Sequence, residues 1–265
     1  MPIVNGMHYV YTVQPGDTLY SIALRLGSSV TDIESANALY PPFTDPGLIF
    51  PGQLLLVTNP GTTQTNHIVA TGDNLYRLAQ RYSTTVDLLF GINPQLPDPG
   101  LIYVNQRLLV PAFVYQVESG DTLNRIAAWF GLSLSALLQA NEQRPGFSPD
   151  VIFPGYRLLI PLPSSRNIVV FRPFPGTRIS RGTIFSRFAR AFEGAILYKI
   201  VDAAGTTVTS ESPIQASAGG PSFGSYSLPI TFNRNPSAQT GELWVYARSA
   251  KDGSIVDLVK VRVLF

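Results

Sequence analysis

The sequence predicts a multidomain chain, α+β over residues 1–162 and all-β over residues 163–265, and three observations predict it. A signal of Gly-Asp, then Thr or Asn, then Leu recurs three times at one register. Beyond residue 162 the hydrophobic period changes to two: Val259, Val261, Val263 and Phe265 alternate with Lys260, Arg262 and Leu264, as in a half-buried strand. The charge changes at the same place. Residues 1–162 hold 7 Arg, no Lys and 11 acidic residues, net −4, whereas residues 163–265 hold 12 basic and 6 acidic residues, net +6.

Composition excludes several classes. A length of 265 residues suggests two or more domains. Charged residues are 14% and Gly and Pro number 22 each, which suits short elements joined by turns and excludes a coiled coil or a highly charged disordered chain. Cysteine is absent, which removes disulfides and thiolate metal sites. Two histidines, His8 and His67, cannot build a multi-histidine cage, so no metal or cofactor is implied. No apolar run is long enough to span a membrane, and the start MPIVNGMHYV lacks the basic and apolar regions of a secretory signal. His8 lies near a terminus that reads as disordered.

The repeats read as follows. Tyr11-Thr-Val is a short strand, Pro15-Gly16 a turn, and Asp17 or Thr18 an N-cap. Leu19, Ile22, Ala23 and Leu26 then share one helical face, as do Leu75, Leu78, Ala79 and Tyr82, and Leu123, Ile126, Ala127 and Phe130. Gly27 and Gly131 suit helix C-caps. A second helix, capped by Thr31, Thr85 or Ser133, ends near an Asn twenty positions after the Asp: Asn37, Asn93 and Asn141. Each unit closes on an apolar strand, Gln53-Leu-Leu-Leu-Val57, Gln106-Arg-Leu-Leu-Val110 or Tyr156-Arg-Leu-Leu-Ile160. The unit is βααβ.

This pattern resembles the LysM domain, over residues 8–58, 66–111 and 113–161. The resemblance implies binding of N-acetylglucosamine-containing polymers, peptidoglycan or chitin, in a groove between two loops. By position, the first wall is Gly16, Asp17, Thr18 and Leu19; Gly72, Asp73, Asn74 and Leu75; and Gly120, Asp121, Thr122 and Leu123. The second wall is Leu48 and Ile49, Leu101 and Ile102, and Val151 and Ile152. An N-acetyl group offers one donor, one acceptor and one methyl, which loop backbone and a small aliphatic pocket satisfy without metal or charge. The repeated Asp and Leu also have a plainer reading, as helix cap and core. The stretch from the Asn to the second-wall Ile is long, with Tyr40-Pro-Pro-Phe43 and residues 94–99 decorating it. The usual Pro-Gly before the last strand is Val104-Asn105 in repeat two, where Asn tolerates the left-handed conformation. The polar stretch 58–66 predicts a hinge after repeat one, and the short apolar Pro111-Ala-Phe-Val114 predicts a rigid pair of repeats two and three.

Residues 161–167 read as a linker. Candidate strands follow at 168–171, 183–192, 195–201, 206–210, 224–230, 243–247 and 259–265, with Asp252-Gly253 as a hairpin signal. This count predicts an immunoglobulin-like β-sandwich over 166–265. Pro173-Phe-Pro-Gly176, Ala189-Arg-Ala-Phe-Glu-Gly194, Pro221-Ser-Phe223 and Ala247-Arg-Ser-Ala-Lys-Asp-Gly253 resemble the Gmad2 domain of bacterial sporulation and germination proteins. Six arginines, Arg166, Arg172, Arg178, Arg181, Arg187 and Arg190, read either as a polyanion-binding face or as charge guarding edge strands; their uneven alternation favours the second.

No nucleophile elbow, zinc-protease helix or phosphate loop is present, and a carboxylate pair for glycoside cleavage stays open. The expected function is therefore non-catalytic, multivalent glycan binding at the bacterial cell wall or spore envelope. The alternatives are a structural envelope protein whose sandwich binds a protein partner, and an accessory fragment that recruits a hydrolase. No nucleic-acid partner is expected.

Overall fold

The same local signals act three times and give the same unit three times. Strand β1 (Met7–Thr12), helices α1 (Leu19–Leu26) and α2 (Val30–Asn37) and strand β2 (Leu54–Asn59) form repeat one. Repeat two is β3 (Gln64–Ile68), α3 (Leu75–Arg81), α4 (Val86–Gly91) and β4 (Arg107–Val110). Repeat three is β5 (Ala112–Gln116), α5 (Leu123–Phe130), α6 (Leu134–Asn141) and β6 (Arg157–Pro161). The structure, a computed structural model, describes residues 2–41, 44–45 and 47–265, the side chain of Arg187 excepted; Pro42 and Phe43 of the predicted decorating loop lie outside the described residues.

The caps settle two readings. Thr18, Asn74 and Thr122 each accept a hydrogen bond from the backbone N–H three residues on, so they cap the first helices and Asp17 does not. Ser29, Thr85 and Ser133 cap the second helices, Ser29 taking the place expected for Thr31 because it stands immediately before the first helical residue. Gly27 and Gly131 close their helices in the left-handed conformation as predicted.

The hinge expected after repeat one does not exist. Strand β1 pairs parallel with β3 from Met7 opposite Gln64 to Val10 opposite His67, giving one four-stranded sheet, β2-β1-β3-β4. Only residues 60–63 of the polar stretch separate β2 from β3. The N-terminal arm is ordered too. Val4 N–H donates to Val114 O at 2.9 Å, Gln116 N–H donates to Pro2 O at 3.0 Å, and Ile3 bridges to Tyr115, so the arm extends the β5–β6 hairpin. Burial explains this rigidity. Tyr9, Tyr11, Leu55 and Val57 pack on the helices of repeat one, while Val10, Leu54 and Leu56 enter a second core shared with repeats two and three. Strands buried on both faces cannot swing free.

The arm bears on His8. Its Nε2 lies 3.0 Å from Val4 O, an acceptor only, so Nε2 carries the proton, and Nδ1 lies 3.2 Å from Thr58 Oγ1. Burial lowers its pKa, against the bond to Val4 O and with help from the charge of Arg157. A histidine lowered below its ordinary 6.5 stabilises the fold fully above that pH, and the contribution fades as pH falls toward the folded value, because the unfolded chain takes the proton first. We expect the urea midpoint to fall on acidification below pH 6.5, and His8→Gln to flatten that segment of the curve.

The remaining chain folds as the sandwich predicted. Strands β10 (Ala195–Asp202), β11 (Thr207–Gln215), β13 (Thr240–Arg248), β14 (Ile255–Leu264) and the short β8 (Thr177–Arg178) form a sheet in the order β11-β10-β13-β14-β8. Strands β7 (Ile168–Arg172), β9 (Ile184–Ala189) and β12 (Gly224–Pro229) form the other, in the order β12-β9-β7. Strand β8 escaped the sequence reading because two residues carry no period.

The sandwich docks on the repeats. In β7, Ile168 and Val170 face the sandwich core while Val169 and Phe171 enter the shared core of the repeats. The Phe113 and Phe174 rings stack at 5.0 Å. Phe223 seats its ring on Gly91 so closely that a Cβ there would lie 2.0 Å away, which glycine alone avoids. The arginine reading is corrected accordingly. Arg166 Nε donates to Asp87 Oδ2 at 2.5 Å, Arg190 Nη2 lies 3.7 Å from the same oxygen, and Arg172 Nη2 donates to Thr63 O at 3.2 Å. These three pin the sandwich to repeat two and to the segment before it. Arg178 donates to Phe265 O within the sandwich. The Arg187 side chain lies outside the described residues.

Candidate functional site

The Asp of each repeat braces its turn. Asp17 Oδ2 accepts from Tyr11 Oη at 2.5 Å and from Gln14 N–H at 2.8 Å, and Oδ1 accepts from Arg25 at 3.0 Å. Asp121 Oδ2 accepts from Tyr115 Oη at 2.5 Å and Glu118 N–H at 2.8 Å. In repeat two His67 replaces the tyrosine: its Nε2 donates to Asp73 Oδ2 at 2.8 Å, and Ala70 N–H donates to the same oxygen at 2.8 Å. Tyr82 Oη then donates to His67 Nδ1 at 2.9 Å. Desolvation raises the pKa of Asp17 and of Asp73, but the hydrogen bonds and neighbouring charges together outweigh it and hold both below the ordinary carboxylate value. Desolvation and the bond to Asp17 push the Tyr11 hydroxyl up to about 12. The carboxylates therefore serve the turn that presents the loop.

Around this brace the walls repeat. Gly16, Gly72 and Gly120 stand at φ between 83 and 89° with open space where a Cβ would point, so the chain turns at each with its backbone bare. Thr18, Asn74 and Thr122 are exposed, and Leu19, Leu75 and Leu123 are buried core residues. On the second wall Ile49, Ile102 and Ile152 pack inward against their cores. Leu48, Leu101 and Val151 are 45, 49 and 50% exposed. One residue of each pair thus anchors the loop and the other offers aliphatic surface.

In repeat three the structure brings both walls together. Asp121, Thr122 and Leu123 face Pro149, Asp150, Val151 and Ile152 across a groove of about 370 Å³, within the range of a small-molecule site. Its lining mixes the polar Asp121, Thr122, Asn124 and Asp150 with the aliphatic Leu123, Leu134, Pro149, Val151 and Ile152. A position the sequence reading passed over stands beside the second wall. Phe50, Tyr103 and Phe153 follow the wall pairs at one register and are 54, 62 and 43% exposed. Their recurrence was legible as an aromatic two residues after Leu48, Leu101 and Val151. Tyr20 and Tyr76, directly after the first-wall leucines, are exposed as well.

The family profile of the LysM domain matches residues 11–58, 67–111 and 115–161, more than half of the chain. The chain belongs to the LysM family. Its last part matches Gmad2, an immunoglobulin-like domain of bacterial spore germination, over residues 167–254. This LysM protein is 31% identical over 202 residues to an autolysin of Enterococcus faecalis, covering 62% of the chain and 26% of the relative. It is 40% identical over 95 residues to a putative sporulation-specific glycosylase, YdhD, of Bacillus subtilis, covering 36% of the chain and 21% of the relative. A secreted LysM effector of Passalora fulva, ECP6, is 26% identical over 181 residues, covering 57% of the chain and 76% of the relative. Among solved structures, the spore cortex-lytic enzyme SleL of Bacillus cereus aligns over 39% of the chain and 22% of its own at 35% identity, with a TM-score of 0.30. The matched segment thus spans about a quarter or less of the autolysin and of YdhD. The matched families are binding-type modules, and LysM membership supports glycan binding in association with the cell wall or spore. Among the described residues no helix is long and apolar enough to cross a membrane, and no cluster of His, Asp or Glu could hold a metal ion.

Proposed function

We propose that this LysM protein binds N-acetylglucosamine-containing polymers of the peptidoglycan type, with chitin the other candidate, without cleaving them. The units of binding are the three repeats over 8–58, 66–111 and 113–161. The observation that carries the reading is the gathering of Asp121, Thr122 and Leu123 against Val151 and Ile152 around one groove. The exposures of the corresponding residues match in the other two repeats.

The test uses the exposed wall residues. Leu48→Asp, Leu101→Asp and Val151→Asp leave the inward isoleucines in place, so the fold should survive, as circular dichroism would verify. Each loses an apolar contact and gains a hydrated charge, which should weaken that groove about tenfold. The triple variant should then wash off insoluble peptidoglycan, and the wild-type chain should release no soluble muropeptides from it. Unchanged retention by the triple variant would refute the groove assignment, and muropeptide release would refute the non-catalytic reading.

A further inference from the structure

Three cavities lie in series across the repeats. The first is the groove of repeat three, whose lining includes Leu134 of α6 and Pro149. Pro149 also lines a second cavity, of about 330 Å³, together with Leu138, Gln139, Glu142, Gln143 and Phe147. Gln139, Glu142 and Gln143 in turn line a third, of about 430 Å³, where they meet Gly52 of repeat one and Thr71, Gly72 and Asp73 of repeat two. Each cavity thus shares residues with the next.

Helix α6 sets the direction of this series. Leu134 and Leu138 are four residues apart on one helical face, and Glu142 follows just past the last helical residue. At 1.5 Å per residue the path from Leu134 to Glu142 is about 12 Å long. The far end of α6 is tied to both other repeats. From repeat two, Arg81 Nη1 donates to Glu142 O at 3.2 Å and Nη2 donates to Gln143 Oε1 at 2.9 Å. From repeat one, Leu54 N–H donates to Gln143 O at 2.9 Å. The path is therefore preformed, which lowers the cost of ordering it on binding.

Its chemistry suits a sugar polymer. Leu138, Phe147 and Pro149 offer carbon to the C–H surface of a pyranose. Gln139, Glu142 and Arg77 are exposed polar side chains lining the third cavity, and between them they donate to and accept from hydroxyls.

We propose that the three cavities form one track, along which a single glycan strand lies from the groove of repeat three, over α6, to the first-wall loop of repeat two. The ligand is a long N-acetylglucosamine-containing strand that crosses two repeats at once. This rests on the reading of the repeat grooves as glycan sites and adds the bridge between two of them.

The full chain is titrated by calorimetry with the N-acetylglucosamine trimer and octamer, and with stem-free peptidoglycan strands of four and eight sugars. The series that binds identifies the polymer. Within it, the eight-sugar strand should bind one to one and about tenfold or more tighter than the short one. In backbone NMR it should shift the amides of Gln139, Glu142 and Gln143 together with those of Thr122 and Val151. The double variant Gln139→Ala, Glu142→Ala changes two exposed positions outside the repeat-three groove and should bring the eight-sugar strand down to the affinity of the short one. Val151→Asp, inside the groove, should weaken both. Equal affinity for short and long strands, unmoved amides at 139–143, or a long-strand advantage kept by the double variant would each overturn the track while leaving the grooves standing. Binding of neither series would overturn the grooves and the track together.

Discussion

Replacing Asn93 by Ala is expected to destabilise the LysM body by about 3 kcal/mol. Asn93 is 1% exposed, at the junction of α4 and β4. Its Nδ2 donates to Leu89 O at 2.8 Å and to Leu109 O at 2.9 Å, and its Oδ1 accepts from Leu109 N–H at 2.7 Å. One amide thus closes the last helical turn and fixes that turn to the closing strand. Alanine leaves buried backbone groups unpaired, and each unmet group costs more than a made bond gains. Asn93→Asp should be no milder: the carboxylate can still accept from Leu109 N–H, but it puts negative charge against two carbonyl oxygens that have lost their donor. The measurement is urea unfolding followed by circular dichroism. A loss below about 0.5 kcal/mol, typical of surface substitutions, would show that the amide is not what holds the helix end to the strand. The same three bonds recur at Asn37, with Ile33 and Leu56, and at Asn141, with Leu137 and Leu159. The substitution should therefore be comparably costly in each repeat.

Local features of this fold were legible because they are set by near neighbours in sequence. The period of Leu19, Ile22, Ala23 and Leu26, the left-handed Gly27 and Gly131, and the alternation of β14 all need only a few adjacent residues. The first-wall loops were readable for the same reason. What escaped was non-local. The polar segment 58–66 has a linker's composition, and composition says nothing of the parallel β1–β3 pairing that immobilises it. The signal for it is the unbroken apolar run from Leu54 to Val57, which asks for burial on both faces. Strand β7 carries the same signal in Ile168-Val-Val-Phe171. Arg166, Arg172 and Arg190 were unreadable one by one, since their partners Asp87 and Thr63 are about a hundred residues away in sequence. The exposed Phe50, Tyr103 and Phe153 could have been found by aligning the repeats one step past the second wall.

Rigidity changes how three weak sites would combine. Tethered modules gain from the effective concentration a linker allows, whereas fixed modules gain only where the polymer meets them in one geometry. With β1 paired to β3 and residues 2–4 paired to β5, the repeats present their loops in a set arrangement. Avidity here would depend on the repeat distance along the glycan strand, and lengthening the 60–63 connection would change it little while the sheet persists.

That set arrangement has a single side chain at its centre. Arg144→Ala is expected to cost about 2–4 kcal/mol and to loosen repeat one from repeat three. The Arg144 guanidinium is buried, and its two terminal nitrogens reach oxygens of the protein while Nε is left without a partner. Nη1 donates to Arg157 O and, at 3.2 Å, to Asn141 Oδ1 in its own repeat; Nη2 donates to Ala36 O at 3.1 Å and Asn37 Oδ1 at 3.4 Å in repeat one. The Tyr156 ring lies 5.1 Å beneath it. Burial lowers its pKa, partly countered by Tyr156 and reinforced by the neighbouring charge of Arg157. Removing it relieves that desolvation but strips the donors from the carbonyl of Ala36 at the end of α2 and from that of Arg157 at the start of β6, in two repeats at once. Arg144→Met separates the contributions: it keeps most of the volume, so any loss it shares with Ala comes from the hydrogen bonds. Arg144→Lys keeps the charge but lacks the planar fork that spans both repeats, so it should resemble Met more than wild type. Hydrogen exchange at Leu56 and Leu159, whose amides are held by Asn37 and Asn141, would report the release directly. Exchange and midpoint both unchanged in Arg144→Met would mean that packing and the β1–β3 ladder hold the repeats together without it.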